Sequence, residues 1–262
     1  MVRGVNNTKE VWMIRGIFFD LYGTLFIYGD MKKAWADWLH HFFMSLKEHG
    51  LTLTKGEFSK ECERFFDRAE PAITDQNLTL FEKRVKYMCI SHQINISDKD
   101  ISSIADLIVE VWQREIVLDP TTVGVLQKLK KKMKLCLVSN FDHPRNVHKY
   151  LSLYGIDGLF DNITISGEVG IKKPDPEIFE QSLSATGLSP HEVAYVGDSD
   201  EDIQAAIAAG MLPILIERLD NSTDSTTPDI EDAPQIYTVK KIDQIHGKFQ
   251  TISSLGELLS FI

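Results

Sequence analysis

Four groups of polar residues break the apolar stretches of this 262-residue chain. They are Asp20 to Thr24, Ser139-Asn140, Lys173-Pro174 and Asp198 to Asp202. Their residue types could do chemistry together. A carboxylate can attack phosphorus or carbon and form a covalent intermediate. Clustered carboxylates offer the hard oxygen ligands that Mg²⁺ requires. A fixed lysine lowers a barrier where negative charge redistributes. Each group also has a plainer reading. Asp20 would cap a turn, the hydroxyls and the lysine would be routine turn residues, and Asp200, Glu201 and Asp202 would favour a helix N-terminus. Taken one at a time, the four groups leave both readings open.

The elements that must position them follow from periodicity. Ile14 to Phe19 is short, apolar and β-rich and stops at Asp20, which predicts a buried strand and a tight turn. Met1 to Trp12 reads as a loose lead-in. From Met31 to Glu115 the spacing is helical, and no strand is expected there. Trp35, Trp38, Leu39, Phe42, Phe43 and Leu46 share one helix, and Phe58, Cys62, Phe65 and Phe66 a second. Leu80 to Ile90 and Ile101 to Ile116 form two more. Beyond Pro120 helices and strands alternate. Helices are expected at Thr121–Met133, Asn146–Tyr154, Pro176–Thr186 and Asp202–Ala209, with Gly187 and Gly210 closing the last two. Strands are expected at Leu135–Val138, Asn162–Ile165, Val193–Val196 and Pro213–Ile216. Asn221–Asp232 reads as a polar loop, Tyr237–Val239 as a last strand and Ser253–Leu259 as a capped terminal helix. The expected fold class is α/β, a doubly wound parallel sheet of Rossmann-like type. Residues 1–30 and 119–262 form this core, and residues 31–118 form an inserted α-helical cap. Open parallel sheets bind ligands beyond the carboxyl ends of their strands, where the four polar groups fall.

In order, these segments read Phe-Phe-Asp-Leu-Tyr-Gly-Thr-Leu, Leu-Val-Ser-Asn-Phe-Asp, Gly-Glu-Val-Gly-Ile-Lys-Lys-Pro-Asp-Pro-Glu-Ile-Phe and Tyr-Val-Gly-Asp-Ser-Asp-Glu-Asp-Ile. The set resembles the haloacid dehalogenase (HAD) superfamily over Ile14–Met31 and Asp119–Ile216, and the helical block sits where that family carries a cap. The resemblance implies that Asp20 is the nucleophile and Lys173 its catalytic partner, with Lys172 facing away. It implies that Thr24 and Ser139 contact phosphate, and that Tyr22, Gly23 and Asn140 belong to the substrate site. It also implies Mg²⁺, held by the carboxylates of Asp20 and Asp198 and the backbone carbonyl of Tyr22, with Asp202 a direct or indirect partner.

One residue departs from the pattern. In the family's phosphatases the residue two beyond the nucleophile is a second aspartate, which protonates the leaving group and then activates water. Here it is Tyr22. A phenol with a pKa of about 10 is a poor base at neutral pH, and losing an acid–base group costs about 10²–10⁴-fold. The same tyrosine is found in the family's 2-haloacid dehalogenases, which displace halide from carbon without a metal. Those enzymes carry an arginine early in the cap, whereas no arginine lies between Gly16 and Glu63. They also lack the Gly197-Asp198 start of the fourth motif. The resemblance therefore implies a Mg²⁺-dependent phosphatase of a small phosphorylated metabolite, working through an aspartyl-phosphate. The alternatives are a 2-haloacid dehalogenase-like hydrolase, or a weakly active or non-catalytic binder of a phospho-ligand or protein.

Composition narrows the partners. The formal net charge is −10, which disfavours nucleic acid but allows a small anionic substrate in a locally positive pocket. No apolar run is long enough to span a membrane. The 3 cysteines match no metal-ligand spacing, which points to a reducing cytoplasm. A monomer or homodimer is expected. Within the cap, the aromatic residues from Trp35 to Phe43 are expected to pack the bundle's own core, Tyr28 or Lys32 to reach the substrate, and His40 and His41 to form no metal pair. His143 is expected on a surface loop.

Overall fold

The structure is a computed structural model that describes residues 13–66, 68–218 and 249–261. The lead-in Met1–Trp12, the loop Asn221–Asp232 and the strand Tyr237–Val239 lie outside these residues.

The chain opens with strands β1 (Gly16–Phe19) and β2 (Phe26–Tyr28), then helices α1 (Met31–Glu48), α2 (Lys55–Cys62), α3 (Leu80–Ser91) and α4 (Asp98–Gln113). Next come β3 (Ile116–Leu118), α5 (Thr122–Lys130), β4 (Lys134–Ser139), α6 (Pro144–Leu153), β5 (Asn162–Ile165) and α7 (Ser166–Val169). The last elements are α8 (Glu180–Thr186), β6 (Val193–Gly197), α9 (Asp200–Ala209), β7 (Leu212–Ile216) and β8 (Gln250–Ile252). Among the described residues no helix is long and apolar enough to cross a membrane.

A six-stranded sheet runs in the order β5-β4-β1-β6-β7-β8, and every neighbouring pair is parallel. Alternation along β1 explains why both faces are covered. Ile17 and Phe19 join Leu135, Leu137, Val125 and Leu126 on one face, while Phe18 joins Cys136, Val138, Phe179 and Tyr195 on the other. β1 is buried throughout and aligned with both neighbours, Phe19 standing opposite Leu137 and Val196.

Helices α1 to α4 are inserted between β2 and β3, which pair antiparallel as a separate two-stranded ribbon with Tyr28 opposite Ile116. The ribbon corrects the sequence reading, which ran the fourth helix through Ile116. That helix stops at Gln113, and Ile116 begins β3. Strands of three residues carry too little alternation to register as a period. For the same reason β8 was not expected. Phe65 and Phe66 lie in turns beyond α2, and the terminal segment Leu255–Phe261 is a 3₁₀ helix. Trp38 and Phe42 are buried within the bundle, with Trp35 stacked on Trp38 at 4.9 Å.

The insertion docks on residues that follow β4. Arg84 Nε donates to Asp142 Oδ2 at 3.0 Å, the Phe81 amide donates to the Asp142 carbonyl at 3.1 Å, and Arg145 pairs with Glu82 at 2.7 Å. His143 is part of this joint and only 1% exposed, so the surface-loop expectation fails. Helices α3 and α4 cover it: its Nδ1 lies 3.0 Å from the Thr79 hydroxyl and its Nε2 lies 2.8 Å from Asp106 Oδ1. This pairing suits a neutral imidazole that accepts from Thr79 and donates to Asp106. Burial lowers its pKa below the ordinary 6.5, against the opposing hydrogen bond that it donates to Asp106. The sign of the pH dependence follows. Below pH 6.5 the unfolded chain takes up a proton that the folded chain resists, so the stability held above pH 6.5 declines as the medium is acidified. Chemical denaturation between pH 5.5 and 7.5 is expected to show a steeper acid-side loss for the wild type than for His143→Gln.

Candidate active site

Three adjacent strands deliver the site. Asp20 follows β1, Ser139 ends β4 and Asp198 follows β6, so all stand at the carboxyl edge of the central sheet. The Asp20 amide donates to the Val196 carbonyl at 2.9 Å, extending the β1–β6 ladder by one rung. The chain then turns sharply. Leu25 and Phe26 amides both donate to the Leu21 carbonyl at 2.9 Å, and the Gly23 amide donates to Phe26 at 2.7 Å. Gly23 has φ +86°, and a Cβ there would lie 2.0 Å from Asp198 Oδ2. Conformation and space both demand glycine.

Lys173 is the hub. Its ammonium is buried, 2.6 Å from Asp20 Oδ1, 2.6 Å from Asp202 Oδ1 and 2.9 Å from the Tyr195 hydroxyl. Lys172 is exposed. Asn140 holds the Lys173 backbone: it accepts from the Lys173 amide at 2.9 Å and donates to the Lys173 carbonyl at 3.0 Å. Its side chain therefore fixes the backbone that carries the lysine. Asp202 Oδ2 accepts from the Ser199 amide at 3.0 Å and the Ser199 hydroxyl at 2.6 Å, closing the capping box of α9. Asp200, Glu201 and Asp202 all lie in the first turn of α9, as the sequence suggested, and Asp202 also orients Lys173.

The charge balance is unequal. Carboxylate oxygens of Asp20, Asp198 and Asp202 all lie within 4.8 Å of one another. Burial pushes Asp20 from 3.8 up to about 6, against the pull of Lys173. Burial, then the charges of Asp20 and Asp202, push Asp198 well above the carboxylate range. Burial alone would lower Lys173, but the two carboxylates hold it above its ordinary value. A buried carboxylate cluster with one ammonium is short of positive charge, and its donors are all hard oxygens. Asp20 and Asp198 therefore fit a Mg²⁺ ion. In the turn after β1 and at the end of β4, Thr24 Oγ1 and Ser139 Oγ are buried and have no hydrogen-bond partner among the described residues. Unpaired buried hydroxyls cost about 1–3 kcal/mol each, and an anion's oxygens would satisfy both.

The Tyr22 side chain is held by other protein atoms. Its hydroxyl donates to Gln113 Oε1 at 3.0 Å and accepts from Asn146 Nδ2 at 3.4 Å. Its ring packs on Phe141 at 4.9 Å and Trp112 at 5.1 Å. Burial pushes the phenol above its ordinary range. Its backbone carbonyl is unaffected by where the side chain goes.

Two residues escaped the sequence reading. Tyr195 lies inside the fourth motif, yet only its alternation on β6 could have placed it on the Lys173 side. Its hydroxyl donates to the Val138 carbonyl at 2.9 Å. Arg218 had no sequence signal at all. It donates to the Gly23 and Thr24 carbonyls and pairs with Asp119 at 2.9 Å, so it ties the Asp20 turn to the end of β3. Arg218→Ala is expected to lower stability by about 2 kcal/mol by leaving those acceptors unpaired. It is also expected to lower kcat by ~10–100-fold by loosening the turn. Denaturation and steady-state rates check both, with Arg218→Lys intermediate.

Comparison with known proteins supplies the family. The family model for haloacid dehalogenase-like hydrolases matches residues 14–210. The chain is 34% identical over 119 residues to glyceraldehyde 3-phosphate phosphatase of Methanopyrus kandleri, covering 43% of this chain and 51% of that one. It is 40% identical over 121 residues to phosphoserine phosphatase of Thermus thermophilus, covering 45% and 48%. It thus spans about half the length of these curated relatives. Among solved structures, a HAD phosphatase from Thermococcus onnurineus superposes with a TM-score of 0.62 at 18% identity, covering 94% of this chain and 97% of that one. The 2-haloacid dehalogenase of Pseudomonas syringae pv. Tomato gives the same TM-score, 0.62, at 20% identity, covering 95% and 98%. The fold therefore does not separate the two chemistries. The family match, however, runs through both parts of the interrupted core and the insertion between them, and the chain belongs to the haloacid dehalogenase-like hydrolases.

Proposed function

We propose that the chain is a Mg²⁺-dependent phosphatase acting on a small phosphorylated metabolite through an aspartyl-phosphate on Asp20. The observation that carries this reading is the acidic excess. Asp20 and Asp198 face one another in a buried site whose only nearby ammonium, among the described residues, is Lys173. Displacement of halide needs no cation and would be opposed by that charge. When bound, Mg²⁺ neutralises charge on the phosphoryl oxygens. Asp20 attacks phosphorus, Lys173 compensates its charge, and the Thr24 and Ser139 hydroxyls donate to the phosphoryl oxygens. Relatives named for phosphatase activity on glyceraldehyde 3-phosphate and phosphoserine support a small phosphorylated substrate. The 3 free, buried cysteines support a reducing compartment, the cytoplasm.

The test is phosphate release from a panel of phosphorylated metabolites with Mg²⁺ and with chelator. Mg²⁺-dependent release supports the reading. Halide release from 2-haloacids with no phosphate release would replace it with the dehalogenase reading. Tight Mg²⁺-dependent ligand binding without either product would replace it with a binding role.

A further inference from the structure

A phosphoryl-transfer site must deal with the oxygen that leaves. An alkanol leaves with a pKa near that of water, about 16, and needs a proton in the transition state. A carboxylate leaves with a pKa of about 4 and needs none.

Tyr22, Lys173, Tyr195, Asp202 and His143, the donors nearest the Asp20 turn that the hydrogen bonds place, are engaged with other protein atoms. The single proton of the Tyr22 hydroxyl is given to Gln113 Oε1 at 3.0 Å. That acceptor also receives Asn146 Nδ2 at 3.2 Å, so the contact belongs to a closed set joining the Asp20 turn, α4 and α6. Lys173 is engaged by Asp20 and Asp202, the Tyr195 hydroxyl by the Val138 carbonyl, and Asp202 by Ser199 and Lys173. His143 is enclosed between Thr79 and Asp106. Asp200, whose Oδ1 is buried and unpartnered, does not join the cluster of Asp20, Asp198 and Asp202. The Tyr22 ring is instead buried against Phe141 and Trp112, whose rings are 5.8 Å apart.

We infer that the site is matched to phosphoryl donors whose leaving oxygen departs unprotonated, and that its substrate class is the acyl phosphates. The inference rests on the phosphatase reading above. In the first step an Asp20 oxygen forms a bond to phosphorus, and the bond from phosphorus to the acyl oxygen breaks. The carboxylate carries away the electron pair, and no proton moves. In the second step water attacks the same phosphorus, the bond to Asp20 breaks, and the water proton passes to the phosphate or to solvent. The aspartyl-phosphate is itself an acyl phosphate, so the first step exchanges one such bond for another.

The test measures kcat/KM of the full chain with Mg²⁺ for acetyl phosphate, phenyl phosphate and ethyl phosphate, a series of rising leaving-group pKa. The expected result is a monotonic fall of ~10⁴-fold or more from acetyl to ethyl phosphate, the range a missing general acid leaves uncorrected. Ethyl phosphate turned over within about tenfold of acetyl phosphate would overturn the inference and leave the phosphatase reading standing. Release from none of the three, with no phosphate on Asp20 by mass spectrometry, would overturn both. Tyr22→Asp places a carboxyl group in the turn and is expected to narrow the acetyl-to-ethyl ratio by ~10–100-fold. Should that variant fail to fold, the wild-type series decides the matter alone.

Discussion

Asp20→Asn is expected to abolish turnover, by on the order of 10⁶-fold, the scale on which a covalent nucleophile is lost. It is also expected to make the metal-free protein more stable at pH 7. The sign follows from burial, which raises the Asp20 carboxyl from 3.8 to about 6. Between those values the folded chain binds more protons than the unfolded chain, so stability falls as pH rises and the whole cost is present above pH 6. Asparagine carries no charge and removes that cost, while Lys173 keeps its pair with Asp202 at 2.6 Å. The gain should disappear below about pH 4, where the carboxyl is protonated in both states. Added Mg²⁺ should raise the melting temperature of the wild type more than that of the variant. Thermal melts across pH, with Mg²⁺ and with chelator, check every part. Equal wild-type and variant stability at pH 7 without metal would contradict the electrostatic account of the site.

Lys173→Met should be damaging in the opposite direction. The ammonium bridges Asp20 and Asp202 at 2.6 Å each, and all three groups are buried. Removing it leaves a carboxylate cluster with no cation, and breaking a buried pair in this way costs about 3–5 kcal/mol. Activity should fall by ~10³-fold or more as the fixed positive charge is lost. Acid should restore stability to this variant more than to the wild type, because protonating Asp20 and Asp198 removes a repulsion that Lys173 offsets in the wild type, while the loss at His143 is common to both. Urea denaturation at pH 7 and pH 4.5 separates these trends.

Much of this was legible in the sequence, for a physical reason. Strands buried on both faces read as short apolar runs, so the residues that end them, Asp20, Ser139 and Asp198, stand out where the runs stop. Lys173 was legible only through its motif, because no strand precedes it directly. Contacts between distant residues left no such trace. Arg218 meets Gly23 across 195 positions, and Tyr22 meets Gln113 across 91. Neither partner belongs to a periodic pattern that names the other. His143 was misplaced because a polar residue just after a strand looks like a loop residue until another element packs over it. Tyr22 and Asn140 stand in the strand-end segments that the sequence picked out, but the partners that hold their side chains, Gln113, Asn146 and the Lys173 backbone, lie far along the chain and left no local signal.

The β2–β3 ribbon has a consequence for how such a protein changes over time. Tyr28 stands opposite Ile116, so the inserted helices leave and re-enter the core at one place. Closing a long loop normally carries an entropic cost that grows with its length, but here the paired ribbon holds the ends together whatever lies between them. The helical segment is therefore a replaceable cassette. It can lengthen, shorten or be exchanged without altering the register of β1 on β4 and β6, and so without moving Asp20. The side chains that meet it at the joint, among them Tyr22, Asp142, His143, Arg145, Asn146 and Lys149, must be renegotiated. Sequence change in the helices can thus proceed while Asp20 stays where it is.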